Sequence, residues 1–458
     1  MSRPIGGICR NRSIRGGLKR KMSMRYACCF GIRMLAIFLF CAATSCSSAS
    51  GKIEQKAAHS ALPREANPQV SAADLAAVVA ANTKFAFKAF PILDTTSNNN
   101  IFFSPYSITQ AFSLLEPGAR GTTRSGIEQT LFFQLPQDRL NPALNKLDLL
   151  IAGKTTGTVF PSGRHAPELN NANAVWGQQG FSILPAYLDT LAVNFGAGLH
   201  QVDFVNATET SRQTINAWIG EQTNNRIQNI IPKDGVSTDT RMVLANAIWF
   251  KASWASKFSQ HATANRTFNN RDGTSSLVLF MSQWFRVKYA QVDGCQAVDI
   301  PYAGEDLSML VIMPAVGKFD KFLSSLSPNV VGAITNNLTS KEVAFSMPKF
   351  TFTKALAMKQ ILMRLGMTEA FDQARADFSG INGKRDLYVG EVFYKAFVSV
   401  DEEGTEAAAA SAVGMVGTGR PRTPDLQLSI DHPFIFLIRD RETGLILFMG
   451  KVGSLKEL

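Results

Sequence analysis

The sequence predicts an α+β fold in one large domain, and three observations support this. Its 458 residues are 45% hydrophobic and 18% charged, which is enough apolar material for a large core and too little charge for general disorder. No second linker and no internal repeat interrupts residues 71–458. Helical patterns dominate the first half and strand patterns the second, without the strict alternation of a doubly wound sheet.

The N-terminal segment, residues 1–46, is typical of an export signal. It holds nine Lys or Arg residues and no acidic residue, so the rest of the chain keeps only +2 of the formal net charge of +11. This distribution argues against a nucleic-acid partner. A 12-residue apolar run, 34–45, follows the basic stretch. Because a membrane-spanning helix needs roughly 18 apolar residues, the run fits the core of a signal peptide, with Met22 or Met24 as an alternative start.

Cys46 ends this segment in the run Ala43-Thr-Ser-Cys46, which resembles the cleavage site of bacterial lipoproteins. The resemblance implies a diacylated Cys46 that attaches the mature protein to a membrane. Ordinary secretion after cleavage nearby is the alternative, and both hypotheses predict export. With Cys46 lipidated, no intramolecular disulfide is possible in the mature chain, and Cys295 in a strand-like run is predicted to be a buried small hydrophobe.

The remaining elements are predicted in chain order. Residues 47–70 are small, polar and proline-containing, as in a flexible tether. Ser71 and Asp74 have the spacing of a helix N-cap, which starts the folded domain of 71–458. Further helices are predicted at 107–115, 124–131, 185–195, 209–223, 318–323 and 355–365. Strands are predicted at 173–176, 242–250, 277–281, 286–290, 295–301, 309–313, 343–348, 394–400, 433–439 and 446–452.

Enzyme chemistry has no sequence support. None of the five histidines lies in a nucleophile elbow, a paired-histidine motif or a Cys-x-x-Cys context. No phosphate-binding loop and no metal-ligand spacing occur. We therefore predict a protein that is not an enzyme, with no catalytic residue, no cofactor and no metal.

One segment, residues 400–424, departs from ordinary folded sequence. An alanine-rich run follows a strand and leads into several glycines and prolines. Read at period two, one face carries only small or uncharged residues, namely Thr405, Ala407, Ala409, Ser411, Val413 and Met415. Such a segment could enter the middle of a sheet. The alternative is a surface loop without a role.

Over residues 71–458 the chain resembles the serpins, a family of serine protease inhibitors, here of bacterial type. The matching motifs lie in family order. They are Asn100-Ile-Phe-Phe-Ser-Pro-Tyr-Ser-Ile108, Gly118-Ala-Arg-Gly-Thr-Thr123, Ile215-Asn-Ala-Trp218, Leu244-Ala-Asn-Ala-Ile-Trp-Phe-Lys251, Asp299-Ile-Pro-Tyr302, Met347-Pro-Lys-Phe350, Leu365-Gly-Met367, Ala376-Asp-Phe-Ser-Gly-Ile381, Glu402-Glu-Gly-Thr-Glu-Ala-Ala-Ala-Ala410, Asp431-His-Pro-Phe-Ile-Phe-Leu437 and Phe448-Met-Gly-Lys451.

The resemblance implies about nine helices around three β-sheets, with an exposed reactive-centre loop at 402–424. It also implies an irreversible suicide-substrate mechanism against serine, or cysteine, proteases. The protease attacks a bond in the loop, the loop inserts into the central sheet, and the acyl-enzyme is carried to the opposite pole and trapped. By the family's spacing from the hinge glycine Gly404, that bond is Thr418-Gly419.

Further site residues follow from the resemblance. The hinge comprises Glu402, Glu403, Gly404, Thr405, Glu406, Ala407, Ala408, Ala409 and Ala410. The region where the sheet opens comprises Ser104, Asn246, Tyr394, Trp254 and Lys349, with Lys349 and Glu402 as an ion pair. Two positions depart from the family: Tyr394 replaces a usual histidine, so the network beneath the sheet must differ, and Asn225 replaces a usual glycine.

The predicted partner is a serine protease, and the chain is predicted to be a monomer. Thr418 suits an elastase-like enzyme, whereas Arg420 as the alternative site suits a trypsin-like one, with Arg422 as a third option. No basic run resembles a heparin site, so no activation by glycosaminoglycans is expected. The competing function is a non-inhibitory serpin that acts as a binding or chaperone-like protein; bulky or charged hinge residues would favour it, and they are missing.

Overall fold

The helices lie mostly in the first half of the chain, as predicted. A computed structural model describes residues 56–96, 100–405 and 423–456. In this part of the chain there are ten α-helices: α1 (Ala72–Thr96), α2 (Pro105–Ser113), α3 (Gly121–Leu131), α4 (Gln137–Lys154), α5 (Pro185–Phe195), α6 (Thr208–Gln222), α7 (Phe319–Ser325), α8 (Pro328–Asn336), α9 (Met358–Arg364) and α10 (Ser379–Asn382).

Sixteen strands accompany them within the same described ranges. They are β1 (Lys56–Ala58), β2 (Asn100–Phe103), β3 (Glu168–Gln178), β4 (Leu199–Val202), β5 (Met242–Ser253), β6 (Ser259–Asn269), β7 (Ser275–Val292), β8 (Cys295–Pro301), β9 (Leu307–Pro314), β10 (Thr339–Pro348), β11 (Phe350–Ala357), β12 (Glu391–Val400), β13 (Gly404–Thr405), β14 (Leu426–Ser429), β15 (Phe434–Asp440) and β16 (Ile446–Val452).

The strands form two hydrogen-bonded networks. The first, here called the central sheet, has the order β1-β4-β3-β5-β13-β12-β11. The second runs β14-β10-β7-β8-β9-β15-β16-β2, and β6 pairs with β7. Two of the three expected sheets are joined because β7 is 18 residues long and pairs with β6, β10 and β8 along its length.

The central sheet has two distinct ends, which we call the upper and lower poles. Strand β5 runs from Met242 at the lower pole to Ser253 at the upper pole. Strand β12 runs parallel to β5, and β3 runs antiparallel to it. At about 3.3 Å per residue, the two ends of β5 lie roughly 36 Å apart.

Strand β5 is buried on both faces, and its sequence shows why. Leu244, Ile248 and Phe250 point into the main core beneath the sheet, whereas the alternate residues Ala245 and Trp249 belong to a smaller cluster that includes Ile215 and Ile219 of α6. A strand covered on both faces reads as a nearly continuous apolar run, as this one does. Asn246 is the polar exception, on the core side.

Several regions differ from the sequence predictions, among them the following three. Helix α9 starts at Met358, and residues 355–357 belong to strand β11, whose alternating burial is the pattern of a half-covered strand. Helix α4 was not predicted, because Pro142 lies in its second turn and its composition is polar. Residues 56–70 of the predicted tether pack against the domain, with β1 paired to β4, whereas 47–55 lie outside the described residues.

Candidate functional site

The candidate site lies at the upper pole, where the chain leaves β12 and reverses direction. Backbone N–H of Asp401 donates to Gly404 O at 2.9 Å, and the Asp401 carboxylate accepts from the N–H groups of Glu403 and Gly404 at 2.9 and 3.2 Å. The Asp401 side chain thus stabilises a turn, after which the chain runs back down the sheet as β13. Burial raises the pKa of Asp401 above its ordinary value, although the two backbone hydrogen bonds oppose the change.

The first two loop residues are seated between β5 and β12. Gly404 and Thr405 pair antiparallel with Ser253 and Ala252 of β5, and Thr405 pairs with Val400 of β12. A Cβ atom on Gly404 would lie 1.8 Å from Ala252 O, so only glycine fits there. The side chain of Thr405 is fully buried, and its Oγ1 lies 2.8 Å from the hydroxyl of Tyr302.

Below these two residues the sheet is closed. Residues Glu391 to Phe397 of β12 pair directly with Val243 to Trp249 of β5, in a parallel ladder without interruption. We call this β5–β12 boundary the seam. The two strands are therefore parted by two loop residues at the upper end and paired directly from Trp249 and Phe397 downward.

Trp254, at the upper end of β5, holds the turn by hydrogen bonds and packing. Its indole Nε1 donates to Asp401 O at 2.9 Å, and its backbone N–H donates to Glu403 O at 2.9 Å. The indole stacks on the ring of Tyr302, with ring centroids 4.7 Å apart and planes inclined by 7°. Trp254 thereby fixes the position from which the hinge descends.

Two ion pairs anchor the hinge carboxylates. Lys349 Nζ lies 2.7 Å from Glu402 Oε2, and Thr263 Oγ1 donates to Glu402 Oε1 at 2.6 Å. Burial acts to raise the pKa of Glu402, but hydrogen bonds from Lys349 and Thr263 outweigh it, and the pKa lies below its ordinary value. Glu403 pairs with Lys257, a residue that the sequence analysis did not single out.

Beneath the seam, Ser104 and Tyr394 connect β12 to the start of α2. Ser104 caps α2 and accepts from Ser107 N, while its hydroxyl donates to Leu447 O at 2.6 Å. The hydroxyl of Tyr394 accepts from Ser104 N–H at 2.6 Å. Both side chains are buried, and burial raises the pKa of Tyr394 well above its ordinary value. Tyr394 thus supplies a hydrogen-bond acceptor beneath the seam, at the position where the resembling family usually has histidine.

Asn246 ties the facing strand β5 to the same helix. Its Nδ2 donates to Ser107 O at 3.0 Å and to Ser107 Oγ at 2.6 Å, and it also contacts Asn173 Oδ1 of β3. Its Oδ1 has no hydrogen-bond partner within the described residues. Tyr394 and Asn246 are direct neighbours across the seam, so the first turn of α2 holds both strands that must separate if the sheet opens.

Several predicted residues lie outside the described part of the chain. They are the signal segment with Cys46, the hinge residues Glu406, Ala407, Ala408, Ala409 and Ala410, and the reactive-bond candidates Thr418, Gly419 and Arg420. Within 56–96, 100–405 and 423–456, no group of three or more His, Cys, Asp or Glu side chains is arranged to hold a metal ion. The second family departure, Asn225, has a left-handed backbone with φ of 59°, a conformation that asparagine tolerates.

Comparison with known protein families identifies the family to which a chain with this hinge and seam belongs. The sequence model of the family described as Serpin (serine protease inhibitor) matches residues 80–455. The chain belongs to the serpin family. Members of this family are generally protease inhibitors rather than catalysts.

Serpin relatives occur in archaea and animals. The chain is 38% identical to an uncharacterized serpin-like protein of Thermococcus kodakarensis over 83% of this chain and 86% of that one. It is 33% identical to human leukocyte elastase inhibitor over 82% of this chain and 98% of that one. Among solved structures, a highly specific serpin of the insect Tenebrio molitor superposes with a TM-score of 0.73 at 27% identity, covering 85% of this chain and 100% of that one. The similarity therefore extends over nearly the whole described domain.

Proposed function

We propose that this serpin is an irreversible suicide-substrate inhibitor of serine proteases, with cysteine proteases as a further target class. A protease attacks the reactive loop, the loop inserts between β5 and β12, and the acyl-enzyme is trapped. The observation that carries the proposal is the seated hinge: Gly404 and Thr405 already occupy the upper end of a seam that is closed below. A loop that starts inside the sheet can continue by pairing downward.

The energy for trapping comes from backbone pairing of the inserted strand. In the proposed mechanism residues 405–418 insert, with neighbours on both sides. At about 1 kcal/mol net per backbone hydrogen bond, insertion releases on the order of 10 kcal/mol. This is comparable to the folding stability of a whole domain, roughly 5–15 kcal/mol, so insertion can distort a protease rather than merely block it.

The proposed reactive bond is Thr418-Gly419, with Arg420 as the alternative. Thr418 favours an elastase-like protease, and the 33% identity to leukocyte elastase inhibitor supports the same class. Cleavage after Arg420 instead indicates a trypsin-like protease, although Pro421 follows it. The site of cleavage therefore identifies the target class.

Export is part of the proposal. The basic and apolar leader directs the chain out of the cytoplasm, and Cys46 carries a lipid that anchors it to a membrane; secretion without the lipid is the alternative. The intact mass of the mature N-terminus decides between them. A diacylated Cys46 that is lost in Cys46→Ser supports the anchor, whereas an unmodified N-terminus supports secretion.

The test of inhibition uses residues 47–458 incubated with elastase, trypsin or a subtilisin-like protease. A complex that survives boiling in detergent is expected with at least one of them, and the mass of the released C-terminal peptide locates the bond. Cleavage by all three without any complex, and without a gain in heat stability afterwards, would contradict inhibition and favour the binding or chaperone-like function.

A further inference from the structure

Residues 56–70, here called the strap, form an ordered attachment at the edge of the central sheet. Strand β1 pairs antiparallel with β4, with Lys56 opposite Gln201 and Ala58 opposite Leu199. Strand β4 would otherwise present an unpaired edge, since β3 lies on its other side. The strap therefore completes the sheet on this side.

Beyond β1, the strap is bound to two helices. Arg64 donates to Asn145 Oδ1 at 2.8 Å and to Asp148 Oδ2 at 2.6 Å, both on α4. Glu65 N–H donates to Val193 O of α5 at 2.9 Å, and Asn145 Nδ2 donates back to Glu65 O at 2.8 Å. Backbone and side-chain bonds at several separate points fix the path of the strap.

The body of the domain is shaped to receive the strap. A Cβ atom on Gly198 would lie 2.3 Å from His59 Nδ1 and 2.5 Å from Ala58 O. A Cβ atom on Gly196 would lie 3.1 Å from Arg64 Cδ. The two glycines before β4 thus leave room that only the strap fills, and any larger residue at position 198 must displace it.

Strand register places the start of the strap at the lower pole. Lys56 pairs with Gln201, Gln201 with Gly177, and Gly177 with Met242, the first residue of β5. Strand β1 runs upward, because it is antiparallel to β4, which is parallel to β3, which is antiparallel to β5. The chain therefore joins the domain at the pole opposite the hinge, which pairs with Ser253.

We propose that the strap attaches the domain to a lipid surface by its lower pole, so that the hinge faces away from the membrane and loop insertion carries the trapped protease toward it. This inference rests on the proposed function and deepens it. Lys56 lies ten positions after Cys46 in the chain. A fully extended chain spans at most about 3.5 Å per residue, so the lower pole lies within roughly 35 Å of the anchored cysteine.

The test attaches the mature chain, starting at Cys46, to phosphatidylcholine vesicles that carry a maleimide lipid. Cys295 does not compete, because it is buried and burial raises the pKa of its thiol to about 11. A dye is placed through an introduced azido amino acid at Asp239, before the lower end of β5, or at Ser256, beyond its upper end; both positions are exposed. Energy transfer to an acceptor lipid is then measured.

Strong transfer from position 239 and weak transfer from position 256 is expected. Gly198→Val, which displaces the strap, should reduce this difference at least twofold, whereas Gly153→Ala, in open space on α4, should leave it unchanged. Arg64→Ala tests the strap without a change in the sheet, and Leu62→Ala, at a half-exposed strap residue, is its control. Equal energy transfer from positions 239 and 256 overturns the proposal. So does a difference in transfer that remains unchanged in both Gly198→Val and Arg64→Ala.

A dye on the protease tests the second half of the inference. Transfer to the membrane acceptor should rise as the covalent complex forms on the vesicle. The orientation measurement needs no protease, and complex formation in solution needs no vesicle, so failure of the strap inference and failure of inhibition are separate results. A trapped protease whose transfer does not rise would overturn the proposed direction of transport.

Discussion

The upper and lower parts of the seam are held by different kinds of interaction. At the upper end, charged groups dominate: Glu402 and Glu403 pair with Lys349 and Lys257, whose side chains remain 32% and 23% exposed. Lower down, the ties to α2 are neutral hydrogen bonds of buried groups, made by Tyr394 and Asn246. Partly exposed ion pairs can exchange with water, whereas buried neutral bonds leave unsatisfied groups when they break.

This difference bears on how the sheet would open in the proposed mechanism. In the proposed mechanism the hinge can adjust at the upper end at low cost, because the lysines that neutralise its carboxylates are partly exposed. Further insertion must break the direct β5–β12 ladder and the links to the first turn of α2. In the proposed mechanism the upper end would therefore position the loop, and the region beneath the seam would set the barrier to insertion. Each prediction below changes one of these two regions.

The largest effect is expected at Thr405, in the upper region. Thr405→Arg would place a guanidinium at a fully buried position beside Tyr302. An unpaired buried charge costs about 3 kcal/mol or more. Insertion should then lose to deacylation, and the yield of detergent-stable complex should fall at least about tenfold, since each 1.36 kcal/mol is a factor of ten in rate. Gel densitometry of complex against cleaved inhibitor measures this.

The control at the same position is Thr405→Val, which removes the hydroxyl but adds no charge. It should form complex in nearly normal yield. A stable complex from Thr405→Arg in undiminished yield would contradict insertion at this position.

The next largest effect is expected beneath the seam. Tyr394→Phe leaves the buried N–H of Ser104 without its acceptor, which should lower the free energy of unfolding by about 1–3 kcal/mol. It should also speed the spontaneous loss of inhibitory activity on warming, because a link between β12 and α2 is gone. Urea denaturation and timed activity assays measure the two effects.

Tyr388→Phe is the matched control, because the Tyr388 hydroxyl donates to Asp239 O at an exposed site. Its effect should stay within about 0.5 kcal/mol. Equal destabilisation by the two variants would mean that the buried link at Tyr394 has no special role.

The two regions also differ in how far sequence could predict them. The hinge and the Lys349–Glu402 pair follow from the resemblance to the serpins. The seam strands follow from their residue patterns, and the apolar run of β5 reflects burial on both faces. Lys257 was missed because it follows Trp254 in a loop, where no periodicity marks a partner for Glu403. The resemblance pointed to Tyr394 as a departure, but its bond to Ser104 required coordinates.

The strap and α4 were missed for related reasons. Residues 56–70 have no hydrophobic pattern that would predict an element. They are held in place instead by backbone pairing with β4 and by the polar contacts of Arg64. Helix α4 contains Pro142, yet its buried face, with Leu140, Leu144 and Leu147, packs on the core. In both cases tertiary contacts supply the stability that local propensity lacks.

A smaller effect is expected from the ion pairs at the upper end. Lys257→Ala leaves the nearly buried carboxylate of Glu403 without its partner. Because the lysine is partly exposed, the expected loss of stability is about 1 kcal/mol, between the values for surface and buried pairs. Lys257→Arg should restore it, and raising the salt concentration should narrow the gap between wild type and Lys257→Ala. A salt-independent gap would indicate lost packing rather than lost charge.

The smallest effect is a change in pH dependence at Glu402. In the native protein its pKa lies below the ordinary 4.5, so its contribution to stability is present above about pH 4.5 and is lost as the pH falls through the lowered value. In Lys349→Met the main neutralising partner is gone, burial dominates, and the pKa of Glu402 should rise above 4.5. The variant should then gain stability from this group as the pH falls, because its buried charge becomes neutral.

The measurement is the difference in unfolding free energy between wild type and Lys349→Met in urea, at about pH 7 and about pH 4. The deficit of the variant should shrink toward the lower pH. Lys349 also acts to lower the pKa of Asp401, so its loss changes the pKa of Asp401 in the same direction as that of Glu402. A deficit that stays constant or grows as the pH falls would show that Lys349 does not stabilise the ionised form of Glu402, and that backbone seating alone holds the hinge.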